Sequence, residues 1–479
     1  YVQALIGRMC LDAAGYQTRR GDIKRVNGKG ESMTFENKGK ENNGATYGRR
    51  SDWQNLYTIA KKYYEALLAD PGNAQFHLTD PRGASDKSGR TFNNPYQYFF
   101  EQMHMDDAIY ADESIYEYPM QQGGGNDGRP YSFGRPSSGG SKAAYPCKSY
   151  GQGRINPAYF YGIFDPNDMR RDVSITMTGS NGKGVEKLIP FVPNSKAEGG
   201  GLTLNKWDEN RQANPWVAAQ RKSGINGPYM RMSEVYLGYA EVCAALGDVV
   251  TGKQYLKTVR ERSFPQGLAD TDGFIASFGN DLVRAIIEER GFEYAGEGDR
   301  RWTLIRSGYL PEDIKRIKDM TKAMMDGLAT KGYYEFENGN IISAYIWTKL
   351  VDAKTIYGHR LTAQCPMDKV NDPVLYPGWR GQKDNWEEMG LNYGNSAPAT
   401  NLAIKGLFEI VSEEEAASLE SQGYAKVNWG IDLVDYRDEY DKYLFWDYDY
   451  VSAPIYLWPF TPNVMAAGGF TNGYGFKQE

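Results

Sequence analysis

The chain has 479 residues, with 55 basic and 61 acidic side chains, a formal net charge of −6 and a mean hydropathy of −0.63. Charges of both signs are interspersed and form no basic face, so nucleic acid is not expected as a partner. No run approaches the roughly 18 consecutive apolar residues of a membrane-spanning helix. The composition therefore predicts a chain that is soluble or held at a membrane surface by a separate anchor.

Two helices are predicted at the start of the chain. Apolar residues recur at helical spacing from Val2 to Ala13 and again from Trp53 to Leu67. Between them, the polar and glycine-rich stretch Thr18 to Arg50 is expected to be an inserted loop, so the pair forms a helix hairpin with an enlarged connection. Because the first residues already fit a helix, the sequence is expected to begin inside a larger protein.

A second helix hairpin is predicted in the middle of the chain. An amphipathic pattern covers Met230 to Leu246, and a further helix follows over Gly252 to Arg262. Small residues at Gly238, Ala240 and Ala244 let the two helices approach closely. The pattern is typical of a tetratricopeptide-like hairpin, although too few units are present for a regular solenoid.

Two more helices are predicted beyond this hairpin. One covers Asn280 to Ala295 and turns its apolar side chains inward. The other covers Ser412 to Ser421, where Ser412 caps the first turn and Glu415 completes a capping box.

Long aromatic-rich stretches separate the helices, at residues 71–227 and 331–401. Short strands are expected in the first stretch, at Ser114 to Tyr118 and Asp172 to Met177. Loops of this length are functional or disordered, and their aromatic content argues against disorder. We therefore predict a single, mainly α domain with ordered loops that face a ligand or partner. Its helical scaffold is expected at residues 1–70, 228–310 and 410–425.

The cysteines and histidines point to no chemistry. The four cysteines lie far apart, without metal-ligand spacing, and Cys10 and Cys243 fall in apolar helical patterns that predict packed thiols. The only histidines are His77, His104 and His359, and none lies in a nucleophile or zinc motif. No catalytic residue, cofactor or metal is therefore predicted.

Three segments resemble the SusD/RagB family. They are the helix that opens with Arg231 to Leu237, the run ERGFEYAGEGDRRW at Glu289 to Trp302, and the chain end at Pro454 to Phe460 with Asn472 to Tyr474. In the second segment, Thr303 stands where the family often has an aspartate. The segments occur in the family's order and span most of the chain.

The resemblance implies an α-rich fold with tetratricopeptide-like helix pairs and a binding function without catalysis. Family members sit on the outer surface of Bacteroidetes cells, capture a nutrient that is usually a glycan, and cover a TonB-dependent transporter of the SusC kind. A lipidated N-terminal cysteine anchors them to the outer membrane, and that cysteine and the first helices are missing from this sequence. Trp302 and Trp458 fall within family framework motifs and are expected in the core.

The second segment is rich in charges that admit two interpretations. Paired carboxylates are what glycoside hydrolysis requires. On a helix, however, Glu289 and Glu293 are four residues apart, so ion pairs with the arginines that follow are favoured. We predict a structural salt-bridge network that connects the helix to the next loop. Its expected members are Glu289, Arg290, Glu293, Glu297, Arg300 and Arg301.

Aromatic loops are the better candidates for binding, because sugars offer apolar C–H faces to rings and hydroxyls to polar side chains. One candidate surface lies in the first long stretch, where the alternative is packing over the helical core. Its predicted ligand-binding residues are Asn126, Asp127, Arg129, Tyr131, Phe133, Tyr145, Tyr150, Tyr159 and Tyr161.

A second candidate surface includes Trp379, Arg380 and Trp386. Its side chains fit sugar stacking, contact with the transporter, or plain packing, and the sequence leaves all three open. Three other functions also stay open for the chain as a whole. It could capture a peptide instead of an oligosaccharide, serve as a structural subunit of an outer-membrane complex, or cleave glycans.

Overall fold

The fold is mainly α with short strands, as predicted. A computed structural model describes residues 1–81, 94–104, 110–124, 128–136, 149–180, 186–193, 199–208, 221–352, 400–444 and 449–478. Among the helices in these ranges, none combines the length and apolar character needed to cross a membrane.

The helices and strands alternate irregularly along the chain. The helices are α1 Val2–Ala14, α2 Trp53–Ala69, α3 Pro95–Gln102, α4 Arg129–Phe133, α5 Arg170–Ser174, α6 Met232–Ala245, α7 Val249–Arg262, α8 Thr271–Ser277, α9 Leu282–Glu293, α10 Asp299–Ser307, α11 Leu310–Lys331, α12 Glu413–Ser421, α13 Gly430–Asp435, α14 Arg437–Leu444 and α15 Pro462–Gly468, with a π-helical turn at Tyr159–Ile163. The strands are β1 Gln17–Arg20, β2 Phe35–Asn37, β3 Ala45–Arg50, β4 Ser114–Tyr118, β5 Ile175–Thr176, β6 Thr178–Ser180, β7 Glu186–Leu188, β8 Thr203–Leu204, β9 Gly227–Arg231, β10 Tyr333–Glu335, β11 Ile341–Ser343, β12 Tyr345–Asp352, β13 Thr400–Lys405 and β14 Ala425–Asn428.

The predicted N-terminal helix pair is confirmed. Helices α1 and α2 pack on each other and on α6, and their shared core contains Leu11, Tyr64 and Val235. The two predicted packed thiols, Cys10 and Cys243, lie in the same core as free cysteines. The periodic apolar residues were therefore sufficient to locate this part of the scaffold.

The connection between α1 and α2 differs from the prediction. Instead of a loop, it forms a three-stranded antiparallel sheet in the order β1-β3-β2. Tyr47 of β3 is buried, and its hydroxyl donates to the carbonyl of Ile305 in α10. The backbone N–H of Thr18 in β1 donates to the hydroxyl of Tyr456 at 3.0 Å. The sheet is held by contacts with distant segments, which a local pattern does not reveal.

The predicted hairpin of α6 and α7 is also confirmed. A methyl group on Gly252 of α7 would lie 3.0 Å from both the carbonyl oxygen of Ala240 and the Cβ of Ala244. These small residues therefore permit the close approach, as expected. Gly238 serves a different contact, because its open side faces the hydroxyl of Tyr64 in α2 at 2.7 Å.

The structure has helical and strand elements where loops were expected after residue 310. Helix α11 is 22 residues long and buries Met324, Met325 and Leu328 in a core with Trp429. Strand β12 then pairs with β13 and β14. The scaffold is thus more extensive than predicted, and the capping box at Ser412 is confirmed.

Strand β4 places the first long stretch against the central hairpin. The predicted strand Ser114–Tyr118 is confirmed and pairs antiparallel with β9, which leads directly into α6. The other predicted strand is only partly present, because residues 172–174 belong to α5 and β5 covers Ile175–Thr176. The β4–β9 pair brings the aromatic stretch next to α1 and α10.

Candidate ligand-binding cleft

A cleft of about 710 Å³ lies where α1, β9 and α10 meet. Three of its aromatic side chains are well exposed: Tyr118 at 42%, Phe133 at 46% and Trp302 at 58%. A fourth ring, from Tyr229, lies edge-on to Tyr118 with 5.3 Å between the ring centroids. The rim of the cleft therefore offers apolar ring surface to solvent.

Charged side chains line the same cleft in pairs. Arg8 of α1 binds both carboxylate oxygens of Glu234 in α6, and its guanidinium lies 4.9 Å from the ring centroid of Tyr229. The guanidinium of Arg129 lies 5.1 Å from the ring centroid of Tyr118. The cleft thus combines ring faces with groups that can exchange hydrogen bonds with a polar ligand.

Two buried donors in the cleft wall lack a partner among the described residues. Arg290 donates from Nη2 to Asp299 at 2.5 Å and from Nε to Thr303 at 3.3 Å, but its Nη1 is unsatisfied. The indole Nε1 of Trp207 is also buried and unsatisfied. An unmade hydrogen bond in a buried position costs about 1–3 kcal/mol, so these donors call for an acceptor from outside the chain.

A cluster of ion pairs lies beside the cleft, and we call it the buried ion network. Its carboxylates are Glu289 and Glu293 of α9, Glu297, and Glu113 next to β4; its cations are Arg170, Lys206, Arg231, Arg260 and Arg262. Each of these side chains is at least nine-tenths buried.

The partners in this network differ from the prediction. Glu289 binds Arg170 and Arg260, each at 2.7 Å, and not the arginines that follow it in the chain. The network therefore connects α5, α7, β9 and α9, which are far apart in sequence. Two predicted members lie apart from these pairs.

The predicted arginines of α10 make different contacts. Arg300 binds Glu288 at 2.6 Å and Asp313 of α11 at 2.7 Å, so it connects α9, α10 and α11. Arg301 is exposed and donates to the carbonyl of Tyr456 at 2.9 Å. Arg290 connects α9 to α10 through Asp299, which is the helix-to-loop connection that was predicted.

The buried ion network shifts the pKa values of its members in opposite senses. Burial alone would raise the pKa of Glu293, but the three guanidinium groups around it hold its pKa well below the usual range. Burial lowers the pKa of Lys206 to about 8, although its ammonium contacts Glu297 at 2.7 Å. The carboxylates are thus held ionised at neutral pH.

Glu288 provides a testable pH dependence. Burial raises its pKa, but Arg300, Arg316 and Arg284 outweigh that effect and lower it from 4.5 to about 2. A carboxylate with a depressed folded-state pKa stabilises the fold fully above its unfolded pKa, and this contribution is lost as pH falls toward the folded value. We therefore expect the free energy of unfolding, measured in urea, to fall between pH 4.5 and 2, less steeply in Glu288→Gln. Equal slopes in the two proteins would contradict this assignment.

The structure divides the predicted ligand-binding residues into three groups. Arg129 and Phe133 line the cleft. Tyr131 and Tyr150 lie edge-on to each other at 4.9 Å, and the guanidinium of Arg221 lies 4.3 Å from the ring centroid of Tyr131. The remaining predicted residues lie in the core or outside the described ranges.

Two predicted tyrosines pack inside the protein. Tyr159 donates its hydroxyl to the carbonyl of Gly291 at 2.8 Å. Tyr161 is fully buried, and its hydroxyl accepts from the indole of Trp429 at 2.8 Å. Tyr161 therefore has no surface to offer a ligand. The predicted residues outside the described ranges are Asn126, Asp127, Tyr145, Trp379, Arg380 and Trp386.

Several cleft residues were missed from the sequence. The prediction that Trp302 and Trp458 are core residues is wrong, because they are 58% and 84% exposed. Trp302 lies on the cleft rim, and Tyr118 belongs to a strand whose alternation had been noticed without its exposed face being used. That alternation is the signal that could have found Tyr118, since every second residue of an edge strand faces outward.

Comparison with known proteins identifies the family. The sequence profile of the SusD family matches residues 74–459, which is more than half of the chain. The chain belongs to the SusD family. The predicted resemblance is thus confirmed, and the family match begins after α1, the inserted sheet and α2. No curated protein matches the sequence.

Solved structures of SusD-family type are similar over part of their length. A SusD homolog from Bacteroides thetaiotaomicron has 16% identity, covers 66% of this chain and 54% of its own, and has a TM-score of 0.41. Surface glycan-binding protein A from the same species has 18% identity, 55% and 52% coverage, and a TM-score of 0.38. NanU of B. fragilis has 17% identity, 64% and 55% coverage, and a TM-score of 0.37. The chain spans about half the length of these structures.

Proposed function

We propose that this SusD-family chain captures an oligosaccharide in the cleft at the outer-membrane surface and delivers it, uncleaved, to a SusC-like TonB-dependent transporter. A lipid anchor on a segment outside this sequence would hold it at the membrane. The observation that carries the proposal is the exposed aromatic rim of Tyr118, Phe133 and Trp302. Co-purification of a transporter from native membranes in mild detergent tests the delivery step.

The chemistry of the cleft supports a sugar ligand. Sugar rings present apolar C–H faces that pack on aromatic rings, and their hydroxyls both donate and accept hydrogen bonds. The rim supplies the rings, and the walls supply the arginine and carboxylate groups that such hydroxyls need. Exposed aromatic side chains next to unsatisfied buried donors are typical of a binding site, where apolar surface gives affinity and polar groups give specificity.

The ionisation of the cleft carboxylates favours capture over cleavage. A glycoside hydrolase needs a general acid whose pKa is raised. Asp299 is in the opposite state, because Arg290 outweighs the effect of burial and lowers its pKa. Glu234 is bound through both oxygens by Arg8. These carboxylates therefore suit ligand binding and structural pairing better than proton donation.

Replacement of Trp302 by alanine tests the cleft as the capture site. We expect the dissociation constant for a bound oligosaccharide, measured by calorimetry, to rise about thirtyfold, since a central Trp contributes about 2 kcal/mol or more to binding. Trp458→Ala is the matched control, because Trp458 is exposed and does not line the cleft. Equal affinities in the wild type and Trp302→Ala would place the sugar elsewhere. Binding of peptides but not glycans would replace the proposed ligand with a peptide.

A further inference from the structure

We infer that the cleft selects an acidic sugar, whose carboxylate is bound beside Arg290 and Trp207. This inference rests on the proposed function and adds the chemical class of the ligand to it. It follows from three features of the cleft: its charge balance, its unsatisfied donors and the pairing of its carboxylates.

Cations outnumber carboxylates in the lining. The five arginines are Arg8, Arg129, Arg231, Arg290 and Arg306. The four carboxylates are Asp12, Glu234, Glu297 and Asp299. The described lining therefore carries one positive charge in excess, and a ligand with a single carboxylate would balance it. Partial exclusion of water from a concave site strengthens this attraction relative to an open surface.

The unsatisfied groups are donors. Nη1 of Arg290 and Nε1 of Trp207 are buried, line the same cleft, and have no hydrogen-bond partner within the described residues. Neither group can accept a hydrogen bond, so a ligand must supply acceptors. An ionised carboxylate offers two acceptor oxygens and no donor, and its bonds to a guanidinium are about twice as strong as neutral ones. A sugar carboxylate satisfies both groups better than a hydroxyl does.

The carboxylates of the lining already have cationic partners. Glu234 pairs with Arg8, Asp299 with Arg290, and Asp12 with Arg306 at 3.7 Å. Glu297 pairs with Lys206 at 2.7 Å and with Arg231 at 2.9 Å. A basic ligand would have to compete with these pairs, whereas an acidic ligand meets unsatisfied donors. The charge distribution therefore favours uronic or other carboxylated sugars over neutral or basic ligands.

Matched glycans test this preference. Oligogalacturonides, hyaluronan fragments and sialyllactose would each be titrated beside the same glycan after its carboxylates have been reduced to hydroxymethyl groups. We expect at least one acidic glycan to bind and its reduced partner to bind about tenfold more weakly. The affinity of the acidic member should also fall as salt rises.

The Trp207→Phe variant removes one donor and keeps a ring in place. It should weaken binding of the acidic glycan about tenfold and leave its reduced partner unchanged, while Trp458→Phe should change neither. Thermal unfolding of both variants verifies that they are folded. Equal binding of acidic and reduced partners, or binding of neutral glycans alone, would overturn the charge preference and leave sugar capture standing. Failure of every glycan to bind would overturn both.

Discussion

Replacing Glu293 with glutamine is expected to lower the free energy of unfolding by about 3–5 kcal/mol, because it removes the shared partner of several buried cations. The Glu293 carboxylate contacts Arg170 at 3.0 Å, Arg231 at 2.5 Å and also Arg262. All four side chains are almost completely buried. A neutral amide would leave the guanidinium groups in a low-dielectric setting with fewer carboxylates than they need. Urea denaturation at pH 7, followed by circular dichroism, measures the loss.

A matched surface substitution controls for the chemistry of the change. Glu261 pairs with Lys257 at 3.5 Å, and its side chain is 54% exposed. The Glu261→Gln variant is expected to change stability by less than about 0.5 kcal/mol, since water screens such pairs. If Glu293→Gln lost no more stability than this control, the buried ion network would not hold these helices together.

Replacing Gly7 with alanine is expected to destabilise the N-terminal helices by about 1–3 kcal/mol through overpacking. The added methyl would lie 2.3 Å from Cζ of Tyr64, whose ring is fully buried between α1 and α6. On the other side, Gly238 leaves no slack, because a methyl there would lie 2.7 Å from the hydroxyl of the same tyrosine. Alanine is the better helix former by about 1 kcal/mol, so the sign of the result separates packing from propensity.

Two further variants make the Gly7 experiment specific. Gly28→Ala is the control, because no atom lies within 4 Å of the added methyl. Tyr64→Leu in the Gly7→Ala background should restore part of the lost stability, since it removes the ring that the methyl meets. A Gly7→Ala protein as stable as the wild type, measured by thermal unfolding, would show that α1 shifts freely against α2.

The helices were predictable because their apolar residues repeat locally. Met232–Ala245 and Glu413–Ser421 match their predicted ranges to within a few residues, and the Ser412 cap is visible in the sequence alone. Helix α11 was missed although its pattern is regular. Pro311 and Gly327 resemble helix breakers, yet Pro311 occupies the first turn, where proline is tolerated.

The inserted sheet and the cleft could not be derived from local pattern. Tyr47 is buried because Ile305 accepts its hydroxyl across the fold. Trp302 lies in a family motif and was assigned to the core, yet its side of α10 faces outward. The cation partners of Glu289 come from α5 and α7, so only the tertiary structure reveals them. Sequence predicted that these charges pair but not with which partners.

The long sequence separations inside the buried ion network also constrain how the chain acquires its fold during synthesis. Glu113 and Arg262 are 149 residues apart, and Arg170 and Glu293 are 123 residues apart. At about 5–20 residues per second, Glu297 leaves the ribosome roughly ten to forty seconds after Glu113. During that time the network's charged groups stay hydrated and help keep the unfinished chain soluble. The central helices can therefore reach their final arrangement only after α9 has been made.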